Sequence, residues 1–508
     1  MKAIVLAGLA LWIAAGCGRA LLGRLHIWQR VSAEERFAYA AATGLGVAAY
    51  GVFALGLLGQ LSFWPVTLLW GLLAATGARS MLQYGRELAF ALRPGFSGLR
   101  AWQWMDWCGV GTLLICGGVA LLACFLPPMG REWDAISYHL ADPKLFLQMG
   151  RMVSLPTEHH SNFPFTMEML FTVGLLYAGY PLANLFHFLT GVLTVVALTG
   201  FCRRRWSVRA GVFAGMLYVT TPAVLWQCGV AYIDVALGLY VLLATLAAVY
   251  AVERGGRDAV AWGGVAGLAM GFGLGIKYLA LLPYGLIALY LLMRRVAWRA
   301  VLIYLSVALL IGAPWYVKNW VINRNPVYPF AYSLFPHSRY WSADRASAYQ
   351  SEQSSFGYRI SLRQPREAIL NSIQFPWRLV SDADRYANRG DYTFTSLFGG
   401  AFAALGVVLV LMRGVPGATR DLFSLSGVQL VLWLFVAQVG RYLIPILPVL
   451  SIACGFVVWR LVCRPVASSE DTGGGASIAA GLRYGALCLV FGQAMLLFWG
   501  IFTLPSGG

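Results

Sequence analysis

Apolar runs of close to twenty residues recur along most of this chain, and no other feature restricts its fold so severely. In hydrocarbon every backbone N–H and C=O must be satisfied within the protein, so a run of that length spans as a helix. Such runs lie near 3–18, 37–58, 61–78, 107–127, 182–201, 207–226, 232–251, 259–276, 278–293, 300–316, 396–412, 423–439, 442–459 and 483–503. Their unbroken length excludes a membrane β-barrel, whose strands alternate. Only 12% of residues are charged and mean hydropathy is +0.67, about half the charge of a soluble domain. The expectation is therefore an all-α, polytopic transmembrane bundle of about 13–14 spans, its outer loops carrying short amphipathic helices.

The net charge of +17 does not indicate nucleic acid, because Arg and Lys fall mainly in short loops between spans, where they set orientation. Arg79, Arg86, Arg93 and Arg100 recur every seven residues, as a surface-lying cytoplasmic helix or as plain loop charge. The start, MKAIVLAGLALWIAAGCGRA, has signal-peptide character, but the arginines after it (Arg19, Arg24, Arg30, Arg36) favour a first span. The nine cysteines lie mostly in apolar runs and give no disulfide or metal spacing. GFGLGIK (271–277) lacks the spacing and hydroxyl residue of a phosphate-binding loop.

Counting spans against loop charge sets a topology. Phe165–Tyr180 is apolar, but as a full crossing it would put Arg203–Arg205 outside. It is read as an interfacial or re-entrant helix, so that residues 128–181 and 317–395 share the extracytoplasmic side. The expected division is 1–106 (additional spans and a basic segment), 107–460 (a catalytic membrane core) and 461–508 (a linker, flexible over 467–477, and a last span).

Titratable residues concentrate in one stretch, Arg131–Leu170. It contains Glu132, Asp134, Asp142, Glu158 and Glu168, five of 21 acidic residues, and three of six histidines, His139, His159 and His160. Aromatic residues are interleaved with them, which a merely solvated loop would not need. Such crowding of titratable groups in an apolar chain points to a reaction site. Asp234, Lys277 and Arg441, each at the outer end of a span, fall on the same side under this topology. If Trp133–Leu140 is helical, Asp134 and Tyr138 project from one face. A carboxylate takes a proton from an acceptor, and cations neutralise a phosphate leaving group.

The segment WDAISYHLADPKLF with downstream SNFPFTMEML resembles the first extracytoplasmic loop of the GT-C class of membrane glycosyltransferases. The likeness is to bacterial relatives of protein O-mannosyltransferases and of the lipid A aminoarabinose transferase. AYIDVAL (231–237), GIKYLALLP (275–283), APWYVKNWVINRNPVYPF (313–330) and RYLIPILP (441–448) extend it in family order. The resemblance implies an inverting transferase in a bacterial inner membrane, its site on the extracytoplasmic face. Its donor would be a polyprenyl-phosphate sugar and its acceptor a hydroxyl or amine of a protein, lipid or glycan; membrane lipids would surround it, and nucleic acid plays no part. The family's loop acid maps onto Asp134 as base, with Glu132 as rival, and its donor-phosphate contacts onto Lys277 and Arg441. Tyr138, His139, His160, Glu168, Asp234 and Asn319 would organise substrate or loop. The sequence departs from the family where Trp133 separates the two acids and where three spans precede the core. A transporter or flippase of lipid-linked glycans, or a non-catalytic assembly subunit, is the alternative; it does not need the acidic cluster.

The residues identify no cofactor. A divalent cation held by His159 or His160 with Asp134 or Glu168 is compatible with the residue types. Adjacent residues seldom point the same way, so hydrogen bonding to sugar or loop is the expected role of the histidine pair. Trp315, Tyr316, Trp320 and Tyr328 read as an interfacial aromatic belt, with Asn319–Pro329 as a fixed turn over the cavity.

Overall fold

The structure, a computed structural model, describes residues 1–91, 103–130, 132–336, 338–358, 360, 363–387, 400–463 and 474–503. Nineteen α-helices form it, with no strand among the described residues. The first four are α1 (Lys2–Leu22), α2 (Ala33–Leu57), α3 (Phe63–Ala91) and α4 (Trp104–Ala123). The long loop after α4 carries α5 (Ala141–Met149), followed by α6 (Thr166–Ala178), α7 (Tyr180–Arg205), α8 (Val208–Val219) and α9 (Pro222–Cys228). The core continues with α10 (Asp234–Arg254), α11 (Gly256–Leu274), α12 (Leu281–Met293) and α13 (Trp298–Asn323). Next come α14 (Ala343–Gln353), α15 (Pro365–Ser381), α16 (Gly400–Leu411), α17 (Gly417–Val436), α18 (Leu447–Cys463) and α19 (Gly474–Thr503).

Eight of these helices are long and apolar enough to cross a membrane, or nine if α8 and α9, bent by 81°, make one span. That is fewer than the apolar runs suggest: α16 and, even with its preceding 3₁₀ turn, α12 are too short, and α8 and α9 break at Thr220–Thr221. The chain is an integral membrane protein. Many large apolar side chains are exposed on its helices, among them Leu72, Leu114, Leu310 and Leu411. The core helix is α10, every residue of which from Asp234 to Ala251 is buried.

The short length of α6 agrees with reading it as less than a crossing. Thirteen residues rise about 20 Å, after which Gly179, at φ +74°, reverses the chain into α7. A side chain strains that backbone. Gly174 of α6 lies against the backbone of Ala183, closing a helical hairpin. In the loop between α13 and α16, α15 exposes Ile369, Leu370, Ile373 and Trp377 on one side.

Opposite ends of α10 and α7 carry opposite chemistry. At the far end Arg203 pairs with Glu34 at 2.7 Å, Arg204 with the buried Glu35 at 3.2 Å, and Arg205 with Glu253. His26 and Arg30 meet Asp258 there. Asp234 begins α10 at the other end, about 30 Å away. The N-terminal spans are thus keyed into the core rather than appended to it. Tyr39 donates to the Leu243 carbonyl and Tyr240 to that of Ala42, both at 2.8 Å. Arg79 and Arg86 continue α3; Arg93, Arg100, 396–399 and 467–473 fall outside the described residues, while 474–477 of the expected linker begin α19.

Candidate active site

A cleft of about 790 Å³, open mouth included, lies where helix ends meet the loop after α4 and the loop after α13. Asp134, Tyr138, His160, Glu168, Lys277 and Arg441 all line it, so six of the residues singled out from sequence converge.

The first loop supplies Asp134 just before a π-helical turn, Ala135–His139. The turn keeps residues four apart on one side, and the Tyr138 hydroxyl donates to Asp134 Oδ2 at 2.8 Å. The i, i+4 expectation holds, although the turn is wider than an α-helix, a form common at functional sites. Arg441 leads the 3₁₀ stretch Gly440–Ile446 between α17 and α18, and its Nη2 lies 2.6 Å from Asp134 Oδ2. Asp134 is 4% and Arg441 7% exposed. Burial by itself would raise the Asp134 carboxyl, yet the guanidinium, with His139, Tyr138 and Lys277 behind it, holds it at about 2.

Lys277 sits in the turn between α11 and α12, with Nζ 2.7 Å from Asp234 Oδ1. Gln227 donates to the other Asp234 oxygen at 3.1 Å, and the Tyr442 ring lies 4.3 Å under the ammonium. The two cations, expected on one side from the sequence, both line the cleft and each pairs with a carboxylate, Arg441 with Asp134 and Lys277 with Asp234. Position of Lys277 depends on Gly275, whose carbonyl accepts from the Thr166 N–H at 2.9 Å. A Cβ there would come within 2.4 Å of Thr166 Oγ1 and 2.6 Å of the Tyr50 hydroxyl.

Behind the floor, His139 Nδ1 meets Glu168 Oε1 at 2.7 Å, both side chains buried. Burial drives the imidazole well below its ordinary pKa. Asp142 lies deeper, and burial, then the charge of Glu158, pushes its carboxyl up to about 8. Asn319 donates to the Tyr278 hydroxyl at 2.7 Å and supports the floor without lining it. Glu132 does not line the cleft: its carboxylate accepts from the Met129 N–H at 3.3 Å and closes its own turn.

Two expectations are corrected. Trp315 and Tyr328 are fully packed inside, at 0% and 2% exposure, so they are no interfacial belt; Trp315 donates to Thr166 at 2.9 Å, whereas Trp320 does face outward. His159 and His160 do not diverge, because the 3₁₀ turn His159–Asn162 sets their rings 3.9 Å apart. Asp134 and Glu168, bound to Arg441 and His139, are not grouped with them as metal ligands. Sequence reasoning missed Tyr349, Glu352, Gln353 and Phe356, from α14 and just beyond, which line the outer wall. The helical period of 343–353 was the only signal available.

The family described as dolichyl-phosphate-mannose-protein mannosyltransferase matches residues 179–317, a stretch that includes Asp234 and Lys277. The match spans about a quarter of the chain, so it is a likeness to that family over this stretch. Two solved structures of ArnT from Cupriavidus metallidurans align with it at 17% identity. The apo form has a TM-score of 0.47 over 78% of this chain and 75% of that one. The form bound to undecaprenyl phosphate has 0.46 over 78% and 72%. No curated protein matches the chain.

Proposed function

We propose that the cleft receives a sugar carried on a polyprenyl phosphate and passes it, with inversion, to an acceptor hydroxyl or amine. The observation that carries this reading is the meeting of Lys277 and Arg441, far apart in sequence, in one cleft beside Asp134. The description of the matching family, which names a dolichyl-phosphate sugar, supports the donor class. The distribution of loop arginines supports an active site on the outer face of a bacterial inner membrane.

Both cations are already paired, and this shapes the mechanism. A phosphate entering the cleft competes with Asp134 for Arg441 and with Asp234 for Lys277. While Arg441 is fully engaged, Asp134 is a weak base. Phosphate oxygens drawing the guanidinium away, and adding negative charge nearby, raise its proton affinity. The acceptor then gives its proton to Asp134 as its oxygen or nitrogen bonds to the anomeric carbon. The carbon–oxygen bond to phosphate breaks, and the phosphate departs with the electron pair, its charge met by Lys277 and Arg441. Tyr138 holds the carboxylate in place, and His139 with Glu168 anchors the turn that presents it.

The test is to supply purified protein in liposomes with a panel of labelled polyprenyl-phosphate sugars. Release of free polyprenyl phosphate with sugar on an acceptor is the expected result. Lys277→Met should weaken polyprenyl-phosphate binding about 10- to 100-fold, as for a lost charged hydrogen bond. Movement of intact lipid-linked sugar across the bilayer, with no cleavage for any donor, would refute the reading in favour of a flippase.

A further inference from the structure

A second cluster of titratable side chains stands at the rim of the cleft, apart from the two ion pairs. Glu158 caps the turn His159–Asn162, its Oε1 accepting from the His160 N–H at 3.0 Å. The same oxygen is abutted by His160 Nδ1 and lies 4.0 Å from His159 Nδ1. One ligand atom from each of the three side chains falls within 4.8 Å of the other two. A helix cap needs only the carboxylate and does not bring two imidazoles to it. His159 Nε2 is buried and has no hydrogen-bond partner among the described residues.

The rings are held from outside by aromatic neighbours. His160 stacks on Tyr138, with centroids 4.1 Å apart and planes within 6°. His159 packs against Trp341 at 5.1 Å and Tyr349 at 5.3 Å. These contacts join the two outer loops and fix both rings beside Glu158. We infer that Glu158, His159 and His160 bind a divalent transition-metal cation at the rim of the cleft, with zinc the best suited. Two imidazoles and a carboxylate form a borderline donor set that zinc favours, whereas magnesium and calcium select oxygen ligands. Three protein ligands leave a coordination position for an outside oxygen. Both histidines also line the cleft, so an ion held there would stand beside the volume bounded by Lys277 and Arg441. Ion binding here does not depend on the function proposed above.

The test uses full-length protein in detergent, stripped with chelator, dialysed against zinc or manganese and analysed for metal content. His159→Phe and His160→Phe keep the ring contacts while removing nitrogen, and Glu158→Gln keeps a capping oxygen. Wild type should retain about one zinc per chain and less manganese, and each variant should bind zinc at least about 10-fold more weakly. Zinc should raise the unfolding temperature of wild type and of none of the three variants. His26→Gln, at the opposite end of the molecule, should retain zinc as wild type does. Wild type that holds no zinc, or equal retention by all the variants, would overturn the inference.

Discussion

Replacing Arg441 by Met removes the cation that keeps Asp134 ionised in a buried site. Stranding one member of a buried pair costs about 3–5 kcal/mol. The geometry also sets how the loss is shared. Arg441 holds the Asp134 carboxyl at about 2 against an ordinary 3.8, a difference corresponding to about 2 kcal/mol of folded-state stabilisation. Asp134→Asn alone leaves the guanidinium without its counter-charge and should also destabilise. Asp134→Asn with Arg441→Met strands neither charge, so it should cost less than the sum of the single changes by about 2 kcal/mol. Chemical unfolding in detergent, followed by tryptophan fluorescence, reads all four proteins. The sign of the pH effect follows from a lowered folded-state pKa. The stabilisation is present above the ordinary value and is lost as pH falls towards about 2, so wild type and Asp134→Asn should converge at the acid end of that window. Strict additivity of the single changes would refute the pairing.

Asp142 titrates in the opposite sense. Its carboxyl sits at about 8 against an ordinary 3.8, so stability present at low pH is lost as pH rises between those values. Asp142→Asn does not titrate and should gain on wild type steadily across that range in unfolding curves; a pH-independent difference would remove the buried acid. Gly275→Ala forces a methyl against Thr166 and Tyr50 and should cost about 1–3 kcal/mol while displacing Lys277. A lowered unfolding temperature together with weaker lipid-phosphate binding is expected, and wild-type values of both would show that the contact yields freely. Cysteines placed at the exposed positions Thr157 and Ser351 of a cysteine-free protein should both react with an impermeant reagent from outside intact cells. Reaction of only one would break the shared sidedness of the two outer loops.

Much of the site was legible because its residues break local rules. Asp234, Lys277 and Arg441 are charges at the ends of apolar runs, and Asp134 and Tyr138 have the spacing of one helical face. The partners of the cations were not legible. Lys277 meets Asp234, and Arg441 meets Asp134, only because α10, the α11–α12 turn and the α17–α18 turn end at one depth, which is a property of packing. Glu132 was the rival of Asp134 in sequence, only two residues away. A single turn separates them, one capping its own loop and the other entering the cleft. The number of spans was overread because an apolar run gives composition and not helix length, as α16 and the broken α8–α9 pair show. The wall formed by α14 was hidden for the converse reason: a polar amphipathic helix declares its period but not the surface it covers.

The central claim is that Asp134 takes the acceptor's proton, and turnover by the Asp134→Asn and Glu132→Gln variants tests it directly. Asparagine keeps the shape of the side chain and can still accept from Tyr138, but it is not a base. With a donor that wild type uses, Asp134→Asn should lower release of free polyprenyl phosphate by at least about 10²–10⁴-fold. It should still bind polyprenyl phosphate, since Lys277 and Arg441 remain, and Glu132→Gln should turn over nearly as wild type. Near-normal turnover by Asp134→Asn, with Glu132→Gln inactive, would contradict the account and move the base to Glu132.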